Sequence, residues 1–385
     1  MDRRAFLHSS LASLSLVSSP LTASTVSNSE VMRRPFIWVI LRGATDSLHS
    51  LIPSFESRLT ELRPTLHKDA LADALPLDKG FLLHKELNFL HTLYGQESLL
   101  PVVAVGSGYK ARSHFAGQDY LESGLSRAKI DSGWLARAVK ARNTNALAVS
   151  MRVPISLQGA SDKVDTWYPT KLGKSNDNLL SALSTMYEGH DELSSKLQKG
   201  LETRSIVRGE VSSTKRIDNF AAICRDCGIF FKHSEALQAA AIELNGWDTH
   251  QNQNQRTANM NKKLDNGLAV LKKELGDLWE STVVCVATEF GRTVKENGTQ
   301  GTDHGTGSHM FFLGGAINGG TIAGKWPGLD ETSLFQKRDL LPTSNTFGWI
   351  ATALKQHWAL SDDQVTSIFP NQTGTSMQLI RRENT

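Results

Sequence analysis

The strongest limit on this chain comes from apolar, β-branched runs that each give way to a loop carrying acids and histidines. FIWVIL (36–41) leads into LRGATDS with Asp46, and TVVCVAT (282–288) leads into EFGRT and then GTDHG, which carry Glu289, Asp303 and His304. A weaker run, LQAAAIEL (237–244), leads into GWDTHQN with Asp248 and His250. Near-continuous apolar strands without polar alternation are buried on both faces, the habit of a parallel sheet. LLPVVAV (99–105) and MFFLGG (310–315) read as further strands, with strand and loop over 146–172. Between these lie helical patterns at about 56–66, 84–94, from Ser113, through GWLARAVKAR, over 176–200 and 217–227, at about 256–279, and in SNTFGWIATALKQHW. Residues 201–215 read as a polar, mobile connection, and Gly228 as a helix C-cap. The alternation predicts an α/β fold with a mostly parallel central sheet flanked by helices on both faces. Ligands of such sheets sit beyond the carboxyl ends of the strands, where these clusters fall.

At 385 residues, with 39% hydrophobic and 21% charged residues, the chain suits one large α/β domain or two ordinary ones. A net charge of +3 is too near neutral to imply nucleic acid or an acidic membrane surface as partner. No stretch after the N-terminus approaches the roughly 20 apolar residues of a membrane span. MDRRAFL, followed by a mildly apolar, Ser-rich stretch ending LTA at 21–23, has the cationic, apolar and small-residue parts of an export signal. The order Arg3-Arg4-x-Phe6-Leu7 reads as a twin-arginine signal. Residues 1–23 are therefore expected to be the signal, with the twin-arginine translocase as partner, and 24–385 to be a single domain in the periplasm or beyond. The ordinary alternative is a frayed basic terminus. Cys224 and Cys227 stand in a helical pattern, as two helix thiols or a periplasmic disulfide, and Cys285 lies inside a strand.

Carboxylates and imidazoles gathered at strand ends suit a divalent metal, zinc first, with Mn, Mg or Ca as alternatives and one or two ions in all. Asp248 and His250 are two apart, so both side chains can face one way in an extended loop. Without a metal, the Asp would cap the next helix and the His would bond the backbone. Glu289 follows its strand directly and is read as a ligand, as the partner of Arg292, or both. Asp303 and His304 lie in a Gly-rich loop that admits close backbone approach. His309, five residues beyond His304, reads as a satisfied loop histidine, with a further ligand or a substrate donor as the alternatives. Asp46 is a ligand or a turn cap. Ser113 opens a helix, either as a plain N-cap or as a nucleophile at the positive helix end, with Arg112 and Lys110 near enough in sequence to hold phosphate oxygens.

LRGATD, RSHFAGQDYLESG, GWLAR, GWDTHQNQ, ATEFGRT, GTDHG and the closing SIFP resemble, in this order, a bacterial family defined by a domain of unknown function, number 1501. The resemblance spans essentially the whole chain after residue 23. It implies twin-arginine export and membership of the alkaline phosphatase and sulfatase superfamily. In that superfamily Asp46 looks like the first-strand acid, Ser113 like the nucleophile, Asp248 and His250 like the middle pair, Glu289 like the later acid, and His304 like the last histidine. Two departures stand out. Phe290 occupies the place of an expected histidine, so a second metal would need Asp303, and no Cys or Ser sits in the C/S-x-P-x-R pattern of formylglycine sulfatases.

The resulting expectation is a periplasmic metal-dependent hydrolase of phosphate or related anionic esters, with Ser113 or a metal-activated hydroxide as nucleophile. One metal would sit on Asp248, His250 and His304, and a second on Asp46, Glu289 and Asp303. Arg292 or Arg112 would hold the equatorial oxygens. Its substrate would be a small anionic ester or an envelope-derived one. The alternatives are a non-catalytic exported metal-binding protein that binds an envelope component, and a sulfatase-like hydrolase without formylglycine.

Overall fold

A computed structural model describes residues 33–125, 132–169, 177–210, 219–370, 372 and 374–382. The signal expected at 1–23 lies outside the described residues. In chain order the strands are β1 (Phe36–Arg42), β2 (Leu51–Pro53), β3 (Leu75–Pro76), β4 (Phe81–Leu83), β5 (Leu99–Gly106), β6 (Asn145–Val149), β7 (Val164–Trp167), β8 (Leu237–Asn245), β9 (Val283–Thr288), β10 (Ser308–Leu313) and β11 (Ser344–Asn345). Eight of them form one sheet in the order β11-β5-β10-β9-β1-β8-β6-β7, and β2-β4-β3 form a small second sheet. Within the eight-stranded sheet β1 pairs in parallel with both β8 and β9, and only β10 runs antiparallel to its neighbours. The mostly parallel sheet predicted from the apolar runs is therefore present.

The strands are apolar throughout because both faces are covered. Ile37, Val39 and Leu41 of β1 enter one core layer with Val284 and Val286 of β9, while Phe36, Trp38 and Ile40 enter the opposite layer with Val283, Cys285 and Ala287. This is the period of two that a strand imposes on its side chains. Helices Asn219–His233 and Gln253–Leu275 feed the first layer, and Trp134–Arg142 and Thr346–Trp358 the second. Fully burying each large aliphatic side chain contributes about 1.5–3 kcal/mol before entropy is counted. No helix among the described residues is long and apolar enough to cross a membrane.

Three sequence expectations need correction. Residues 201–210, expected as a mobile connection, continue the helix Asp191–Glu210. Gly228 caps nothing, because its helix runs on to His233. A Cβ there would come within 2.5 Å of Glu274 Cβ, so the glycine marks a close approach of two helices. The pattern at 84–94 is helical only over Asn88–Gly95, the residues before it being β4 and a turn. Cys224 and Cys227 are free, buried thiols.

Candidate metal centre

The loops after β8 and β9 and the helix His114–Ser123, which follows β5, bring their polar side chains to one point above the sheet. Donor atoms of His114, Asp248 and His304 all lie within 4.8 Å of one another. Nε2 of His114 is 2.9 Å from Nε2 of His304. Oδ1 of Asp248 stands 3.5 Å from His114 Nε2 and 3.3 Å from His304 Nε2. His250 adjoins the group, its Nε2 lying 3.0 Å from His304 Nε2 and 3.0 Å from Asp248 Oδ1.

The opposite edge of each imidazole decides what these contacts mean. Nδ1 of His114 bonds Glu289 Oε1 at 2.8 Å, Nδ1 of His304 bonds the Arg112 carbonyl at 2.9 Å, and Nδ1 of His250 bonds Asp303 Oδ1 at 3.2 Å. A carboxylate or carbonyl can only accept, so each Nδ1 carries a proton, and loss of any second proton leaves a lone pair on Nε2. Nε2 of His114 and His304 and Oδ1 of Asp248 then face one another, with His250 Nε2 alongside, an arrangement that a cation makes favourable. Zinc bonds of ~2.0–2.1 Å to nitrogen and oxygen place tetrahedral ligands about 3.3 Å apart. The donor spacings of 2.9–3.5 Å lie around that value. Acceptors behind every histidine are the second layer that metal-binding histidines use. The donor set therefore fits a divalent metal of the zinc kind.

Charge around the site is also set by its surroundings. Burial works to raise the Asp248 carboxyl, but the Arg292 hydrogen bond and charge, with His250 and His114, outweigh it and hold the group below the usual carboxylate range. The hydrogen bond to Glu289 raises His114, and burial lowers His304.

The other sequence candidates take separate places. Glu289 is fully buried behind His114, where Oε1 also accepts from the Gly43 amide at 2.9 Å and Gln118 Nε2 at 3.0 Å. Its neighbour Thr288 donates to Oε2 at 2.9 Å. Asp303 stands behind His250 and also accepts from Asn297 Nδ2 at 3.3 Å. Arg292 is buried, giving NH1 to Asp248 Oδ1 at 2.7 Å and Nε to Thr302 Oγ1 at 3.2 Å. Arg112 spends its guanidinium on Asp339, at 2.7 and 2.9 Å, and on Gln336. Lys110 lies over the Phe335 ring, 5.4 Å from its centroid. Ser113 is exposed at the N-cap of the helix His114–Ser123 with no side-chain cap bond.

Asp46 is not brought to the group. It is buried, caps the short helix Ser47–Ser50 through the Leu48 amide at 3.1 Å, and bonds Arg63 NH1 at 2.6 Å and the Gln253 amide. Burial would raise this carboxyl, yet the charge and hydrogen bond of Arg63 hold it low. His309 is not a satisfied loop histidine: it is buried in β10, its ring tilted at 54° to Phe311 and its Nδ1 without a hydrogen-bond partner among the described residues.

Sequence reasoning missed His114. The residue stands in RSHF beside the serine that drew notice, at a helix start rather than a strand end. Phe290, in the place of the expected histidine, stacks its ring against His114 with centroids 5.0 Å apart. The available signal was the pair His114 and Gln118, one helical turn apart, both of which reach Glu289.

The family described as Protein of unknown function (DUF1501) matches residues 102–369. The chain belongs to this family. No curated protein matches it. Among solved structures, the chain is similar to a 2-O GAG sulfatase at 8% identity and a TM-score of 0.41, covering 90% of this chain and 76% of that one. It is similar to the C-terminal periplasmic domain of EcEptC from Escherichia coli in complex with Zn at 11% and 0.37, covering 73% and 72%. It is also similar to the phosphonate monoester hydrolase of Agrobacterium radiobacter at 9% and 0.32, covering 73% and 68%. Likenesses of this degree concern general chain path and add nothing to the reading of the site.

Proposed function

We propose that the chain is an exported metal-dependent hydrolase of phosphate or related anionic esters. One observation carries the reading: the ring nitrogens of His114 and His304 and the Asp248 oxygen converge, with His250 Nε2 alongside, beside an exposed serine at a helix N-terminus. His114, Asp248 and His304, with His250 adjoining, would hold zinc or a similar divalent ion. Such an ion polarises a phosphoryl or sulfuryl oxygen and neutralises charge as the ester bond breaks.

The chain's own groups do the remaining work. Arg292 keeps Asp248 ionised and oriented. Glu289, Asp303 and the Arg112 carbonyl fix the ring orientation and tautomer of the three histidines. The first amides of the helix His114–Ser123 have no intrahelical acceptor, and because that helix begins at His114 they are proposed to hold the oxygens of an anion. Ser113, at that mouth, is the proposed nucleophile.

The second reading is a non-catalytic exported protein that keeps one metal and binds an envelope component. The commitment of Asp46 to Arg63 favours it, since a second ion then lacks its first-strand acid. Chromogenic phosphate mono- and diesters, phosphonates and sulfates, assayed with added Zn²⁺ or Mn²⁺, separate the two. Turnover lost in both Ser113→Ala and His304→Ala supports the serine hydrolase, and turnover kept in Ser113→Ala means that water attacks directly. Inactivity on every ester, with one metal bound per chain, establishes the binding protein. Export is tested by fusing residues 1–23 to a reporter and replacing Arg3 and Arg4 with lysine, which should leave the reporter in the cytoplasm.

A further inference from the structure

A cleft of about 700 Å³ opens at the carboxyl ends of β1, β6, β7 and β8, at the same end of the sheet as the metal centre. Two chain segments join the cleft to the centre. Asn245, on its wall, ends β8 three residues before Asp248. Asp119 lies five residues past His114, roughly 7.5 Å along the helix axis. Arg42 in the cleft donates to Gln118 Oε1 at 2.9 Å, and Gln118 in turn donates to Glu289, the acceptor of His114.

The lining chemistry selects the ligand. Asp119, Glu122 and Glu243 oppose Arg42, Arg152 and Lys263, so the charges balance and neither a polyanion nor a polycation finds a uniform field. Glu122 and Glu243 are engaged by Arg42 at 2.7 and 2.6 Å. The side chains of Asp119, Arg152 and Asn245 make no hydrogen bond or ion pair within the described residues, so a carboxylate, a guanidinium and an amide remain for a ligand. Around them Tyr168, Phe220 and Met151, the last 79% exposed, offer apolar surface. Phe115 is 86% exposed on the helix face it shares with Asp119, extending that surface toward the metal centre. Such a set suits an uncharged group with many hydroxyls and one apolar face: charge-assisted bonds engage vicinal hydroxyls while a ring face packs on the apolar wall.

We propose that this cleft binds a glycosyl unit, as the non-reacting part of the ester cleaved at the metal centre. The placement of that unit in an ester rests on the hydrolase reading, whereas the sugar site does not. Two measurements keep them apart. In the metal-loaded enzyme, Asp119→Ala/Arg152→Ala should raise KM at least tenfold for hexose 6-phosphates or 6-sulfates. Its kcat, and its kcat/KM for methyl phosphate, should stay unchanged. Equal kcat/KM for hexose and methyl esters in the unsubstituted enzyme would overturn the proposal. If no ester is turned over, the hydrolase reading fails alone. Binding of the full chain to an array of neutral and acidic hexasaccharides then decides the cleft. Binding lost in the double variant supports it, and no binding, or binding unchanged in that variant, refutes it.

Discussion

Asp46 and Asp248 begin alike and end differently. Each follows a strand of the same sheet, β1 and β8, at the carboxyl end, and each meets an arginine. Asp46 is 3% exposed, with one oxygen on a helix cap and the other on Arg63 and Gln253, so both oxygens are engaged inside the protein. The Asp248 side chain is 43% exposed, and its Oδ1 receives Arg292 from behind while facing three imidazole nitrogens in front. A carboxylate at a strand end thus becomes a ligand only where the fold leaves part of its acceptor capacity unused. The two regions are joined by polar contacts: Gln253 bonds Asp46 and accepts from Thr302, which accepts from Arg292.

Four substitutions or titrations probe this contrast. The largest effect is expected for His304→Ala, which should abolish stoichiometric zinc binding by elemental analysis while Asp46→Asn leaves it at one ion per chain; two ions in the unsubstituted protein would erase the distinction. Next, Arg63→Ala leaves Asp46 buried and unpaired, and should lower unfolding stability by about 3–5 kcal/mol in urea titrations. The same change at Lys295, exposed in the segment that follows β9, should shift it by less than ~0.5 kcal/mol. Third, Glu289→Gln keeps the shape but weakens the acceptor behind His114, and should cost about 10–100-fold in zinc affinity by competition with a chelator. An unchanged affinity would remove Glu289 from the centre.

The smallest effect concerns pH. Burial pushes His49 down to about 3 and His84 down to about 4, so both are neutral in the fold. The unfolded chain takes up protons first, and the stability these residues support, complete above about pH 6.5, is lost as pH falls toward 4. The slope approaches ~1.4 kcal/mol per pH unit for each group, and His49→Phe should reduce it. His114 has the opposite sign. Raised by Glu289, it stabilises the metal-free fold below its ordinary value and ceases to do so as pH rises through the higher one. Thermal unfolding of metal-free protein from pH 4 to 8, with and without His114→Gln, resolves the two slopes.

The sheet was legible because burial on both faces leaves unbroken runs such as FIWVIL and TVVCVAT, which no amphipathic helix produces. Helix Asp191–Glu210 was less so, since its polar sequence carries no apolar stripe to extend the pattern past Gly200. Gly228 misled because a glycine that admits a neighbouring helix and one that ends a helix look alike in sequence. At the centre, Asp248, His250 and His304 could be read from residue type and position. His114 could not, because its partners lie 134 and 190 positions away and only the packing of its helix against Glu289 and Phe290, just after β9, brings them together. The opposite roles of Asp46 and Asp248 were equally hidden, for they depend on which arginine approaches and from which side.

The segment between Glu289 and His304 folds back so closely that a Cβ on Gly291 would stand 1.7 Å from the Gly307 carbonyl oxygen, and one on Gly301 2.2 Å from the backbone of His250. Neither glycine bears a group that could touch a ligand. In a saturation library scored for growth or activity, these bare positions should nonetheless tolerate fewer replacements than several residues of the pocket itself. Changes at Phe115 and the cleft wall should therefore alter the surface alone, while any side chain in the glycine weave that pairs Arg292 with His304 should displace the backbone of the centre.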